Sequence, residues 1–392
     1  MRVEQVGVVG AGTMGAGIAQ LACLGRFETY LHDPFPEALE DGEGRVRAGL
    51  VKGAERGRWS AEEAEAASAR LRTSSRLEDL GGCDLLIEAA PEDLGLKREL
   101  FARLAGICGD DALLATNTSS LPVSAIAEPL AAPERVLGMH FFNPPARMRL
   151  VEVVAGDRTA PATLDAATAV AERMGRTPVR CTDSPGFIVN RCNRPFTLES
   201  LRILDEGIVD HAQIDRVVRE DGGYPMGPFE LMDLIGIDVN LEVARSFYRQ
   251  RPEPRWRPHP IQERMVRAGR LGRKSGRGFY DYAAGADEEA VAMPDSELRG
   301  AIIERIIAQL VNEACFAAGE GVAAPEDIDE AMRLGLNHPR GPFEWGREFG
   351  PERVLATLAG LGAGEAEIYR PAPLLERWAA SGDPDPPVTR SA

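Results

Sequence analysis

Lysine is nearly absent from this chain. Of its 392 residues 45 are basic, yet only Lys52, Lys97 and Lys274 are lysine, which leaves 42 arginines. A drift of codons toward arginine accounts for the bulk of that bias. The three survivors then mark candidate ligand positions, where a compact ammonium cannot be replaced by a planar guanidinium. Positive charge is short overall as well. The 61 acidic residues outnumber the basic ones and give a net charge of −16, so nucleic acid is not expected as a partner. No apolar run approaches the roughly 20 residues that a spanning helix needs, so no membrane is expected either. Met1–Glu4 lacks the basic and apolar pattern of a secretion signal. Six cysteines (Cys23, Cys83, Cys108, Cys181, Cys192, Cys315) stand singly, with no CxxC pair. That suits reduced thiols in a cytoplasm better than a disulfide framework or a zinc site, and no metal is expected.

What remains is an ordinary globular composition, 44% apolar and 27% charged, long enough for two or three domains. The first 180 residues alternate short apolar runs with helical stretches. Expected strands are Gln5–Gly10, Phe27–Leu31, Asp84–Ala89, Ala112–Thr116, Val136–Phe141 and Arg149–Val154. Expected helical stretches include Gly44–Arg72 and Lys97–Cys108. This order predicts an α/β domain with a mostly parallel sheet covered on both faces. Arg149–Val154 follows its predecessor by a short Pro-bearing link and is expected to run antiparallel at the edge.

After Ser184-Pro185-Gly186 helical spacing takes over. Ile188, Cys192, Phe196, Leu201, Leu204 and Ile208 fall near one helix face, with Pro195 early in that helix or kinking it. A repeat then becomes visible at an offset of 114 residues. Arg191 matches Arg305, Glu199 matches Glu313, and Glu206-Gly207 matches Glu320-Gly321. Ile214-Asp215 matches Ile328-Asp329, and Gly227-Pro228-Phe229-Glu230 matches Gly341-Pro342-Phe343-Glu344. Five anchors without slippage indicate two tandem copies of one helical domain. The expected domains are 1–183, 184–298 with a linker, and 299–392.

Gln5–Gly15 reads as a strand running into Gly10-x-Gly12-x-x-Gly15, a candidate cofactor loop that includes Thr13 and Met14, and a helix follows through Ile18, Leu21 and Leu24. The first glycine permits a tight turn, the second admits a pyrophosphate and the third lets helix and strand pack closely. The helix N-terminus presents free N–H groups to phosphate. Asp33, 23 residues after Gly10, ends the next strand. It is placed to accept the ribose hydroxyls and to repel a 2′-phosphate, which favours NAD over NADP.

A second constellation lies further on. His140 closes an apolar strand, and ligands of open α/β sheets gather at such carboxyl ends. Glu152 sits among Leu150, Val151, Val153 and Val154, where a carboxylate is costly unless paired. A histidine donating to it would have a fixed tautomer and a counter-charge for the imidazolium formed on proton uptake. The competing reading of Glu152 is a surface carboxylate on a half-exposed edge strand. Ser119 follows a strand and points to the same crevice, or else caps a helix together with Ser120. Asn190 opens the helical region, either lining a cleft or capping.

Read in order, Gly10-Ala11-Gly12-Thr13-Met14-Gly15, Asn117-Thr118-Ser119-Ser120, His140-Phe141-Phe142-Asn143-Pro144 and Ser184-Pro185-Gly186-Phe187-Ile188-Val189-Asn190-Arg191 resemble the L-3-hydroxyacyl-CoA dehydrogenase family, of the 3-hydroxybutyryl-CoA dehydrogenase type. Arg270–Gly276 and Gly278-Phe279-Tyr280 extend the resemblance through the first helical copy. The second copy resembles the duplicated C-terminal domain of longer bacterial members such as 3-hydroxyadipyl-CoA dehydrogenases.

The resemblance implies a Rossmann domain binding NAD, with an acyl-CoA as substrate. It implies His140 as base, Glu152 as its partner, and Ser119 and Asn190 on the reacting oxygen. Glu92, Lys97, Asn143 and Lys274 match NAD-contacting positions, and Lys52 and Arg56 match CoA-contacting ones, with arginine at the second where lysine is common. Glu304 occupies the place of Asn190 in the second copy, so only the first can complete a site. The implied reaction is reversible oxidation of an (S)-3-hydroxyacyl-CoA, short-chain (3-hydroxybutyryl) in the first instance and 3-hydroxyadipyl as the alternative. A non-catalytic NAD-binding scaffold is the alternative of another class. The assembly expected is a homodimer, or a monomer in which the helical copies form an internal pseudo-dimer.

Overall fold

The computed structural model describes residues 2–283 and 292–387, which form two compact units, 1–187 and 188–392. The first is built on one eight-stranded sheet. Its strands are β1 (Gln5–Val9), β2 (Glu28–His32), β3 (Leu71–Ser74), β4 (Leu85–Glu88), β5 (Leu113–Thr116), β6 (Val136–Phe141), β7 (Leu150–Ala155) and β8 (Thr177–Thr182). The order is β3-β2-β1-β4-β5-β6-β7-β8. The first six strands run parallel in the doubly wound order, which reverses between β1 and β4 and opens a crevice there. β7 runs antiparallel to β6, setting His140 opposite Glu152. Every residue of β4, β5 and β6 is buried, as expected for strands covered on both faces.

Three expectations need correction. β7 is antiparallel but not the edge, because β8 pairs with it in parallel outside. Pro178 is tolerated in β8 because an edge strand needs only half of its N–H groups for the ladder. The stretch Gly44–Arg72 is not one helical run. It contains the end of helix Pro36–Glu55, a turn at Gly57 (φ 66°), helix Ala61–Ala69 and the start of β3. Ser60 caps the second helix and Glu63 reaches back to the Ser60 N–H, a reciprocal cap that restarts the helix. In the helical region, Val189–Cys192 and Arg194–Asp205 are separate helices, with Pro195 in the first turn of the second. Ile208 lies beyond it and is 66% exposed.

Within the second unit the two copies meet, and their contacts obey the 114-residue offset. Arg191 Nε donates to Glu313 at 2.9 Å, and its counterpart Arg305 donates to Glu199, the counterpart of Glu313. Arg191 also reaches Glu320 at 3.0 Å, as Arg305 reaches Glu206 at 2.6 Å. Contact i–j answered by j–i is the signature of a two-fold interface. Tyr224 and His338 are each other's counterparts, and their rings touch edge to face at 4.9 Å, which places them at the local two-fold. The Gly-Pro-Phe-Glu turns repeat for a mechanical reason. Asp215 accepts from the N–H groups of Phe229 and Glu230, and Asp329 from those of Phe343 and Glu344. A Cβ on Gly227 or Gly341 would lie 2.3 or 2.2 Å from those Asp side chains.

His338 is buried between the rings of Phe196 and Tyr224. Burial alone pushes its pKa down to about 3. The unfolded chain takes up a proton near pH 6.5 that the folded chain refuses, so stability falls as pH drops from about 6.5 toward 3. A His338→Phe variant removes this site. Its melting temperature should fall less than that of the parent between pH 7 and pH 5. Parallel curves would show that His338 does not titrate in this way.

Candidate active site

β1 ends at Val9 and the chain turns at Gly10 with φ 104°, a left-handed conformation that a side chain would resist. A Cβ there would also meet Ala89 O at 2.7 Å. A Cβ on Gly15 would lie 1.7 Å from Gly10 O, whereas around Gly12 there is open space to 4 Å. These are the separate demands of a dinucleotide loop: tight turn, room for pyrophosphate, close helix packing. Helix Thr13–Leu24 starts with Gly12 as its N-cap and no side-chain cap, leaving N–H groups for an anion. Asp33 follows β2. Its Oδ2 accepts from Ala11 N at 2.9 Å and its Oδ1 from Phe35 N at 3.1 Å. A carboxylate has about four acceptor positions, so ribose hydroxyls can still be taken. The loop and Asp33 therefore fit NAD.

His140, the penultimate residue of β6, is 6% exposed, and Glu152 on β7 is fully buried. Nδ1 of the ring lies 2.5 Å from Glu152 Oε2. The edge-strand reading of Glu152 is thereby removed. A carboxylate only accepts, so Nδ1 carries the hydrogen, and in the neutral ring the lone pair is on Nε2. Phe142 and Phe187 wall the ring, with centroids at 4.5 and 5.8 Å. Phe187 is held at φ 53°, an uncommon state for a bulky residue and one that persists only where the surrounding structure over-determines the backbone.

β5 ends at Thr116 beside β6. Asn117 Oδ1 accepts from Phe141 N at 2.8 Å, tying the Ser119 loop to the histidine strand. Ser119 is half-buried. Neither it nor Ser120 caps the next helix, whose N-cap is Pro122. The loop is instead gathered by Glu92 Oε1, which accepts from Thr118 Oγ1 (2.5 Å), Ser119 N (3.1 Å), Ser120 N (3.0 Å) and Ser120 Oγ (2.9 Å). Partial burial pushes the Glu92 carboxyl up, but the Lys97 ammonium and these donors outweigh it and hold it below the usual range. Lys97 is 1% exposed and lies 2.5 Å from Glu88 Oε1 and 3.4 Å from Glu92 Oε2.

Asn143 is exposed just past the histidine, joined to Pro144 by a cis bond. Lys52 and Arg56, at the end of helix Pro36–Glu55, are exposed. In the second unit, Asn190 is half-buried within helix Val189–Cys192, whose N-cap is Ile188, so it is not a capping amide. Lys274 pairs with Asp238 at 2.6 Å. Glu304, in the place of Asn190, pairs with Arg353 and accepts from Thr357. The sequence reading missed Glu88, Asn117 and Phe187 as site-building residues. Glu88 carried a usable signal, a lone carboxylate closing Leu85-Leu86-Ile87, the same oddity that singled out Glu152.

The NAD binding domain of 3-hydroxyacyl-CoA dehydrogenase matches as a family model over residues 5–184, and the C-terminal domain of 3-hydroxyacyl-CoA dehydrogenase matches twice, over 186–282 and 300–386. The chain is similar to the 3-hydroxyadipyl-CoA dehydrogenase of Escherichia coli K12, with 37% identity covering 97% of this chain and 98% of that one. It is 41% identical to a probable 3-hydroxybutyryl-CoA dehydrogenase of Bacillus subtilis over 72% of this chain and 98% of the relative. Among solved structures, 3-hydroxybutyryl-CoA dehydrogenase from E. coli K12 superposes with a TM-score of 0.91 at 36% identity, covering 97% of this chain and 99% of the other.

Proposed function

The chain belongs to the 3-hydroxyacyl-CoA dehydrogenase family and is an NAD-dependent oxidoreductase of 3-hydroxyacyl-CoA; from that premise we propose how its residues divide the work. His140 is the base, removing the 3-hydroxyl proton through Nε2, and Glu152 holds the ring and balances the charge it gains. Ser119 and Asn190 hydrogen-bond the 3-oxygen. Gly10, Gly12, Thr13, Met14 and Gly15 hold the pyrophosphate, Asp33 holds the ribose, and Glu92, Lys97, Asn143 and Lys274 complete the cofactor site. Lys52 and Arg56 take the CoA phosphates. When bound, NAD supplies a hydride acceptor for C3. The observation that carries this reading is the 2.5 Å contact of two buried groups, His140 Nδ1 and Glu152 Oε2, since a fixed tautomer leaves one basic nitrogen free.

The favoured substrate is a short-chain one, the 3-hydroxybutyryl-CoA/acetoacetyl-CoA pair. A dicarboxylic 3-hydroxyadipyl-CoA is the second reading, favoured by the full-length similarity to an enzyme of that name. A full-length structural neighbour carries the butyryl name, so the two-copy architecture does not decide between them. NADH consumption should be followed with acetoacetyl-CoA and 3-oxoadipyl-CoA. Acetoacetyl-CoA is expected to give the higher kcat/KM. The reverse order would select the second reading, and no turnover with any 3-oxoacyl-CoA would overturn both. We infer a cytoplasmic setting from the single, buried cysteines. Among the described residues no helix is long and apolar enough to cross a membrane. The contacts between the copies support an internal pseudo-dimer.

A further inference from the structure

Glu88 is a fully buried carboxylate at the carboxyl end of β4, and apart from a local bond from Ala90 N its acceptor contacts are directed at the Ser119 loop or at Lys97. Oε2 accepts from Thr116 Oγ1 at 2.7 Å, and that hydroxyl in turn accepts from Thr118 N at 3.2 Å. The Glu88 carbonyl accepts from Asn117 N at 2.8 Å. These contacts fix the root of the loop. Oε1 accepts from Ala90 N at 2.6 Å and from Lys97 Nζ at 2.5 Å. Lys97 has three donors, and three acceptors surround them: Glu88 Oε1, Glu92 Oε2 at 3.4 Å and Ala90 O at 3.4 Å. Glu92 then gathers the tip of the loop through Thr118, Ser119 and Ser120. Two carboxylates thus share one buried ammonium, one gripping the root of the loop and the other its tip.

We propose that Glu88 is a positioning residue for Ser119, acting directly through Thr116 and indirectly through Lys97 and Glu92, and that Lys97 serves the reaction through this relay. The inference rests on the reading of Ser119 as a partner of the reacting oxygen. A buried ion pair is weak evidence of stability, since apolar groups of like volume often serve as well. Its retention beside a catalytic loop is better explained by geometry, because a hydrogen-bonding side chain displaced by about 1 Å can cost about 10²-fold in rate.

A double-mutant cycle tests it. Glu88→Gln keeps the shape and removes the charge that fixes Lys97. With Ser119 present, kcat should fall at least tenfold while the NADH dissociation constant changes less than threefold. In a Ser119→Ala background the same substitution should lower kcat less than twofold, because the group it positions is gone. Equal falls in both backgrounds would overturn the proposal and leave Glu88 a structural residue only. Should Ser119→Ala alone leave kcat unchanged, the reading of Ser119 fails first, and the two failures are distinguishable. Where Glu88→Gln does not fold, Thr116→Val, which removes the hydroxyl joining Glu88 Oε2 to Thr118 N, takes its place in the same cycle with the same expected outcomes.

Discussion

Replacing His140 with glutamine is expected to lower kcat by about 10²–10⁴-fold, the usual worth of a positioned general base, while NADH still binds. Glutamine can fill the space and accept a hydrogen bond, but it takes up no proton at neutral pH. The Gly10–Gly15 loop and Asp33 are set by β1, β2 and helix Thr13–Leu24, none of which His140 holds, so cofactor affinity should be little changed. Glu152→Gln is the sharper companion. A glutamine amide that presents its N–H₂ to the ring would draw the hydrogen to the other nitrogen and remove the free base, and in either orientation the counter-charge is lost. Its loss should approach that of His140→Gln, and the double variant should be no worse than the poorer single one, as for groups that act as a unit. Steady-state kinetics with acetoacetyl-CoA and NADH, beside NADH fluorescence titration, measure both. Turnover within fivefold of the parent in His140→Gln would remove His140 as the base.

That site was legible in the sequence to the extent that local chemistry announced itself. Gly10, Gly12 and Gly15 each have a distinct steric reason visible in the spacing. Glu152 stood out because four apolar residues flank it. Its pairing with His140 needed only two neighbouring strands running in opposite directions. β3 and β8 were not legible. Leu71–Ser74 is four residues long behind an Ala-rich helix, and Thr177–Thr182 contains a proline, so neither shows the apolar run that marked the inner strands. The lysine scarcity pointed to Lys97 but not to its burial. No one-dimensional pattern reveals that Glu88, nine residues earlier, would occupy its ammonium. Phe187 is similar, because the Ser184-Pro185-Gly186 turn is visible in the sequence but the packing of the next ring against His140 is a tertiary fact.

The interface between the helical copies should yield the largest change in stability. Glu313 is 1% exposed and accepts from Arg191 Nε (2.9 Å), Arg255 Nε (2.7 Å) and Trp256 Nε1 (3.0 Å). Glu313→Ala takes one counter-charge from each of two buried guanidiniums, which keep only Glu320 and Glu253 respectively, and strips the Trp256 N–H of its acceptor, a loss of about 3 kcal/mol, or a melting shift on the order of 10 °C for a unit of this size. Exchange of copies between molecules cannot recover that loss, because the two faces are not interchangeable. Arg255 lies over Phe316 at 4.0 Å, and Arg202 lies over Tyr369 at 6.0 Å. Phe316 is the counterpart of Arg202 and Tyr369 the counterpart of Arg255, so in both contacts the first copy supplies the cation and the second the aromatic ring. Two first copies brought together would set Arg202 against Arg255 instead. The parent should therefore sediment as a single 42.4 kDa chain through this surface, and Glu313→Ala should melt early without gaining mass. A variant that melts with the parent, or that recovers its stability by doubling its mass, would show that the charges between the copies are not what holds them together.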